Sequence, residues 1–226
     1  MDILRQHEIF EIEVIDRMKR AGLLEPLVFG GGTMLRLCHE LNRYSVDLDF
    51  WFLKKVNEKD YYAKAVNIFD THYDITDAKE KHFTLLLEIR SPDYPKRLKI
   101  EIRKGIEAWD FHETIAFSRF GVKQVALKAH TLDQSMKNKL QAFLNRNEIR
   151  DCFDIEFLLR RGVELPPDIH EMTDGLLRKI DGFKDGDFKV KLGSILEEEY
   201  REYYITRRFS YLKEKITSAL SNSNTG

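Results

Sequence analysis

The chain has 226 residues, enough for one large domain or a catalytic core with a helical appendage. Apolar residues at 42% and charged residues at 33%, with 15 Phe and 9 Tyr, exclude a disordered chain and describe one with a packed core. Thirty-seven basic against 38 acidic side chains give a formal net charge of −1, which excludes recruitment to nucleic acid or anionic lipid by overall charge and leaves only local patches for such binding.

Cys38 and Cys152 sit in apolar helical patterns without a Cys-x-x-Cys or Cys/His cluster nearby, so a disulfide framework or zinc site finds no support and a cytoplasmic location is expected. No basic start followed by an apolar stretch opens the chain. No run approaches the roughly 20 apolar residues that span a bilayer, so neither export nor a membrane partner is expected.

In chain order, Leu4 to Met18 predicts an amphipathic helix. Leu27 to Phe29 is a short apolar lead into three glycines, and Met34, Leu37, Cys38 and Leu41 then recur at helical spacing. Val46, Leu48, Phe50 and Phe52 alternate with Ser45, Asp47, Asp49 and Trp51, the period of a strand with one buried face, so Asp47 and Asp49 share the other face. A helix over about Lys59 to His72 follows, with Asn57 placed to cap it. Three strands come next, Tyr73 to Thr76, His82 to Arg90 and Arg97 to Arg103, and their order predicts a mixed or antiparallel sheet. Thr131 and Gln134 have the spacing of a capping box before a helix carrying Met136, Leu140, Phe143 and Leu144. A further helix holds Ile149, Phe153, Phe157 and Leu158 and ends in Arg160, Arg161 and Gly162. Beyond Leu165 to Asp168 the chain reads as polar helix with an apolar stripe at Ile205, Phe209, Leu212 and Ile216, then a disordered SNSNTG tail.

The chemistry concentrates in residues 29–52, FGGGTMLRLCHELNRYSVDLDFWF. A helix N-terminus exposes unpaired amide donors, and glycines let a phosphate approach them. The turn matches neither Gly-x-x-x-x-Gly-Lys-Ser/Thr nor Gly-x-Gly-x-x-Gly, so a P-loop or dinucleotide site describes it poorly. Two carboxylates at i and i+2 on one strand face stand roughly 7 Å apart at their Cα atoms and suit a hard cation such as Mg²⁺. Phosphate turn and paired acids together meet the needs of nucleotide transfer from a triphosphate.

GGTMLRLCHELNRYSVDLDF resembles the first motif of the DNA polymerase β-type nucleotidyltransferases, and its Gly-Gly-Thr and Arg-x-Ser-x-Asp-x-Asp run is similar to the AbiEii branch, the nucleotidyltransferase toxins of type IV toxin–antitoxin systems. KLQAFLNRNEIRDCFDIEFLLRRG, residues 139–162, resembles that branch's downstream Lys-x-x-Ala…Arg…Arg-Asp-x-x-Asp pattern. The resemblance implies an α+β, polymerase β-like nucleotidyltransferase fold. A small mixed sheet flanked by helices would fill residues 1–120, and a mainly helical region, residues 121–226, would close the cleft. Gly31, Gly32 and Thr33 would hold the β and γ phosphates of a nucleoside triphosphate, and Asp47 and Asp49 would bind two Mg²⁺. Glu101, on the polar face of RLKIEIRKG, stands where such folds place a third carboxylate, commonly Asp, as metal ligand or base. Lys139 and Asp151 would line the nucleotide site. The resemblance implies a tRNA, another RNA or another cellular molecule as acceptor, and a separately encoded antitoxin as partner.

Each residue also has a plainer reading. The aspartates could be a solvated strand face, Glu101 an exposed strand charge, and Arg43 and Ser45 either phosphate ligands or caps of the turn. Lys139, Arg146, Arg150, Asp151 and Asp154 could form a solvated ladder of helical ion pairs. EYREYYITRRFSYLKEK, residues 199–215, is by composition an RNA-contact candidate and is equally a packed terminal helix. At the level of the whole chain the rivals are a small-molecule nucleotidyltransferase of the aminoglycoside-modifying kind and a non-catalytic binding protein that keeps the fold.

Overall fold

The computed structural model describes residues 2–223, with side chains through 219. The chain divides into two compact units, Met1–Thr131 and Leu132–Gly226.

The first unit opens with α1 (Ile3–Arg20), where Asp2 caps the helix by accepting from the Leu4 amide, and Phe10, Val14, Ile15 and Met18 are buried. β1 (Leu27–Gly30) leads into α2 (Gly31–His39), and β2 (Asp47–Phe52) into α3 (Glu58–Asp70). Asn57 caps α3 as its sequence suggests, accepting from the Asp60 amide at 3.4 Å. Five strands follow: β3 (Asp74–Glu80), β4 (Thr84–Arg90), β5 (Leu98–Arg103), β6 (Phe111–Phe117) and β7 (Gln124–His130).

All seven strands join one mixed sheet in the order β3-β4-β5-β2-β1-β7-β6. β2 runs parallel to β5 and antiparallel to β1, while β1 runs parallel to β7. The alternation in β2 explains its central place. Leu48, Phe50 and Phe52 are at most 1% exposed and pack with Leu98, Ile100 and Ile102 of β5, each worth about 1.5–3 kcal/mol relative to an exposed side chain.

The sheet is larger than the sequence reading expects, because β6 and β7 were not anticipated. β6 is an edge strand with Phe111 and Ile115 about half exposed, so its pattern carries little inside-out signal, whereas β7 does alternate, with Val125, Leu127 and Ala129 inside. The division expected at 120/121 falls in the β6–β7 connection. β7 pairs with β1, so the hairpin belongs to the first unit.

The second unit is helical: α4 (Leu132–Arg146), α5 (Ile149–Arg160), a 3₁₀ turn at Pro167–Glu171, α6 (Thr173–Asp181), a π-helical turn at Asp187–Leu192, α7 (Glu198–Arg207) and α8 (Ser210–Ser223). The expected stripe from Ile205 to Ile216 is not one helix face. Arg208, at φ +50°, separates α7 from α8, leaving Ile205 40% exposed while Phe209, Leu212 and Ile216 are buried. Of the SNSNTG tail, Ser221 to Ser223 close α8, and residues 224–226 lie outside the described residues.

Candidate active site

The glycine turn and the acid strand meet. Gly31 sits at φ +75°, a conformation that disfavours any residue with a Cβ, and a Cβ there would overlap the Asp49 carboxylate. A Cβ on Gly32 would come within 2.5 Å of Arg43 Nη2 and 2.8 Å of Ser45 Oγ. The turn therefore needs glycine because the side chains of Asp49, Arg43 and Ser45 crowd its backbone. α2 starts at this point, and its cap residue Gly30 offers no side chain to the first amides.

Thr33 is fully buried, and its hydroxyl donates to the Asp47 carbonyl at 2.6 Å. The expected hold of Thr33 on the phosphates therefore does not extend to its hydroxyl, which ties α2 to β2 at the first acid. The preceding carbonyl, that of Val46, is held from α1 by His7 Nε2 at 3.0 Å. Two successive carbonyls beside Asp47 are thus fixed from two helices. Arg43, 2% exposed, donates to the Tyr44 carbonyl at 2.9 Å while its Nη2 stays against Gly32.

Parallel pairing of β2 with β5 sets the acids in a ladder. Asp47 stands opposite Lys99, Asp49 opposite Glu101, and Trp51 opposite Arg103. Glu101 therefore neighbours Asp49, as a third carboxylate would. Lys99 lies between the acids, its Nζ 3.5 Å from Asp47 Oδ2 and 3.2 Å from Glu101 Oε1. Burial opposes its charge, but Asp47 and Glu101 outweigh that and hold the ammonium above the usual lysine range.

The donor set is all carboxylate oxygen, half exposed on one sheet face, which is the chemistry Mg²⁺ takes. Among the described residues no group of three His, Cys, Asp or Glu is set to hold a metal ion, and Lys99 occupies the space between two of the acids. Both facts suit an ion bound by one or two carboxylates together with substrate phosphates better than an all-protein cage.

Beneath the strand lies a buried polar network built on α1, within the stretch read from sequence only as an amphipathic helix. His7, Glu8 and Glu11 are at most 3% exposed. Glu8 accepts from Arg36 at 2.8 Å and Ser118 at 2.7 Å, and Arg36 also donates to the Leu41 carbonyl at 2.6 Å. Glu11 has no hydrogen bond to either carboxyl oxygen among the described residues, with His7 Nε2 3.5 Å away. Burial first, then the charges of Glu8 and Asp47, push its pKa well above the carboxylate range despite Arg36.

In the second unit, the residues read as a possible solvated ladder are mostly buried. Asp151 and Asp154 have no exposed side-chain area; Lys139 Nζ lies 2.6 Å from Asp154 and 3.4 Å from Asp151. Arg146 grips Asp151 with two bonds of 2.6 Å, and Arg150 is half buried. Glu156, which the sequence reading passed over, is also wholly buried and accepts from Arg160, the Tyr204 hydroxyl and the Leu212 amide, joining α5 to α7 and α8. The basic and aromatic C-terminal residues are largely engaged in this unit: Arg160 covers Tyr211 at 4.3 Å, Arg208 pairs with Asp185 and Lys213 with Asp181.

The sequence profile of the Nucleotidyl transferase AbiEii toxin family, Type IV TA system, matches residues 13–216. The chain belongs to this family. It is a nucleotidyltransferase, and its α+β fold is the family's. JHP933 from Helicobacter pylori aligns over 95% of this chain and 97% of its own length at 20% identity, with a TM-score of 0.53. A second H. pylori protein, described provisionally as a nucleotidyltransferase, aligns over 90% and 95% at 21% identity with a TM-score of 0.51. No curated protein matches. Among the described residues of this AbiEii-family chain, no helix is long and apolar enough to cross a membrane.

Proposed function

We propose that this AbiEii-family enzyme transfers a nucleoside monophosphate from a nucleoside triphosphate to a hydroxyl of an RNA, with tRNA the foremost candidate, as the toxin of a pair whose cognate antitoxin binds it. The observation that carries the reading is the convergence at Gly31, where the glycine turn approaches the Asp49 carboxylate so closely that a Cβ would overlap it.

The amides of Gly31 and Gly32, at the positive end of α2, receive the β and γ phosphates, with the amide rather than the hydroxyl of Thr33 continuing the turn. Arg43 and Ser45, against Gly32, neutralise and orient the same phosphates. Asp47 and Asp49, with Glu101 at the second rung, would hold two Mg²⁺, which supply charge neutralisation of the triphosphate. His7 and Thr33 keep the strand carbonyls at Asp47 in place, so the first acid does not have to be oriented during reaction. The acceptor oxygen bonds to the α phosphorus as the bond to the β-phosphate oxygen breaks; the hydroxyl proton passes to the Glu101 carboxylate, and pyrophosphate leaves. Lys99, between Asp47 and Glu101, offsets the repulsion of the acids before substrate arrives. Lys139 and Asp151, which the motif resemblance implies as nucleotide-site residues, act in this reading as a buried structural pair held by Asp154 and Arg146.

The test is transfer of label. The protein is incubated with each α-labelled nucleoside triphosphate, Mg²⁺ and total cellular RNA. Label on a defined RNA, abolished by Asp49→Ala, is the expected result. Label on no RNA under any combination, or unchanged labelling by Asp49→Ala, overturns the proposal.

A further inference from the structure

The ladder of β2 and β5 does not stop at the acids. One rung beyond Asp49 and Glu101, roughly 7 Å along the strands, Trp51 stands opposite Arg103 on the same sheet face. The Arg103 guanidinium lies over the Trp51 ring, 5.4 Å from its centroid. Trp51 also rests on the backbone where the phosphate turn begins, since a Cβ on Gly30 would meet its Cζ3 at 2.5 Å. Trp109 meets Trp51 edge-on at 6.0 Å, and His130 closes the group at 4.8 Å from Trp51. Burial lowers the His130 pKa to about 4, so the imidazole adds no charge near neutrality. The two indoles are half buried and Arg103 is exposed. The Trp109 Nε1 donor is buried without a hydrogen bond among the described residues.

The geometry points to this rung as the seat of the RNA acceptor's reacting nucleotide, its base against Trp51 and Trp109 and its phosphate on Arg103, an inference that rests on the function proposed above. Direction decides the occupant. With the pyrophosphate end over Gly32, Arg43 and Ser45, and the α phosphorus at the Asp49–Glu101 rung, an in-line nucleophile must arrive from the opposite side. Along the strands, that side is the Trp51–Arg103 rung. Its chemistry fits: indoles stack any base, and an exposed guanidinium takes a phosphate oxygen pair.

Trp51 and Trp109 are both tryptophans of the chain, so intrinsic tryptophan fluorescence reports on this rung without a label. A short single-stranded RNA with a free 3′-hydroxyl should quench that fluorescence saturably. Arg103→Gln should weaken RNA binding about tenfold and flatten its salt dependence, while leaving affinity for Mg²⁺ and nucleoside triphosphate at the wild-type value. Trp51→Phe, which keeps an aromatic ring over Gly30, should lie between the two. In turnover, Arg103→Gln should raise KM for RNA with little change in kcat. RNA that fails to quench, or an Arg103→Gln loss that appears for the triphosphate rather than for RNA, overturns the inference; the second result would assign the rung to the donor base. If wild type and Arg103→Gln label RNA with equal KM, the rung proposal fails and the transferase reading stands. If quenching by RNA is intact but wild type transfers nothing to it, the transferase reading fails and the RNA site stands.

Discussion

The protein carries two assemblies of carboxylates and cations that look alike in sequence and differ in solvent. On the β2–β5 face, Asp47, Glu101 and Lys99 keep 23–35% of their side chains exposed and rely on one shared lysine. In the helical unit, Asp151, Asp154 and Glu156 are wholly buried, each with at least one cation within 3 Å. Charges removed from water must be fully paired, and charges so paired have little left for a substrate. The partly exposed set retains lone pairs with which a metal ion could be held. Exposure, rather than residue type, separates the acids proposed to react from the buried ones.

The largest effect should come from the exposed set. Asp49→Ala is expected to lower transfer about ten-thousandfold, roughly 5 kcal/mol of transition-state stabilisation, with the thermal midpoint within about 2 °C of wild type. A matching loss of stability would erase the contrast. Asp151→Ala should do the reverse, costing about 3–5 kcal/mol in urea unfolding because it strands Arg146 and Lys139 beside buried Asp154.

His130 supplies a pH arm. Its pKa falls from 6.5 to about 4 in the folded chain through burial, so its contribution is complete above pH 6.5 and drains as pH drops toward 4. The total is ~3 kcal/mol. Urea unfolding of wild type between pH 7.5 and 4.5 should show that slope, and His130→Asn should reduce it. Gly31→Ala should cost about 1–3 kcal/mol of stability from its left-handed backbone, and it should weaken triphosphate binding as the methyl displaces Asp49. Glu11→Gln should be nearly silent. With the folded pKa raised, Glu11 contributes fully below the unfolded value of 4.5 and loses that contribution as pH rises through the folded one. Glutamine imitates the protonated acid, so the variant should unfold within about 1 kcal/mol of wild type near pH 5 and gain on it at higher pH.

The alternation of β2, the glycine turn and the helix that follows were readable because each is local: a period of two, a backbone that excludes Cβ, and a period of 3.6. Position of Glu101 beside Asp49 was readable only through the resemblance, since register between strands some fifty residues apart depends on sheet pairing. Lys99 between the acids is a consequence of that same register. The Thr33 hydroxyl misled because hydroxyls serve phosphates and backbone carbonyls equally well, and only the approach of Asp47 decides. Burial of His7, Glu8 and Glu11 left no local trace, for a helix of charged and apolar residues looks amphipathic until a second layer covers its polar face. Asp151 and Asp154 were read as a possible surface ladder for the same reason.

The central claim is that the β2 acids and the α2 amides seat one Mg²⁺-bound triphosphate. Calorimetric titration of nucleoside triphosphates, with and without Mg²⁺, into wild type, Asp47→Asn and Asp49→Asn tests it most directly. Mg²⁺-dependent binding of at least one triphosphate to wild type, lost in both variants while Asp151→Asn at a temperature where it remains folded still binds, is the predicted result. Binding that survives unchanged in both β2 variants would contradict it.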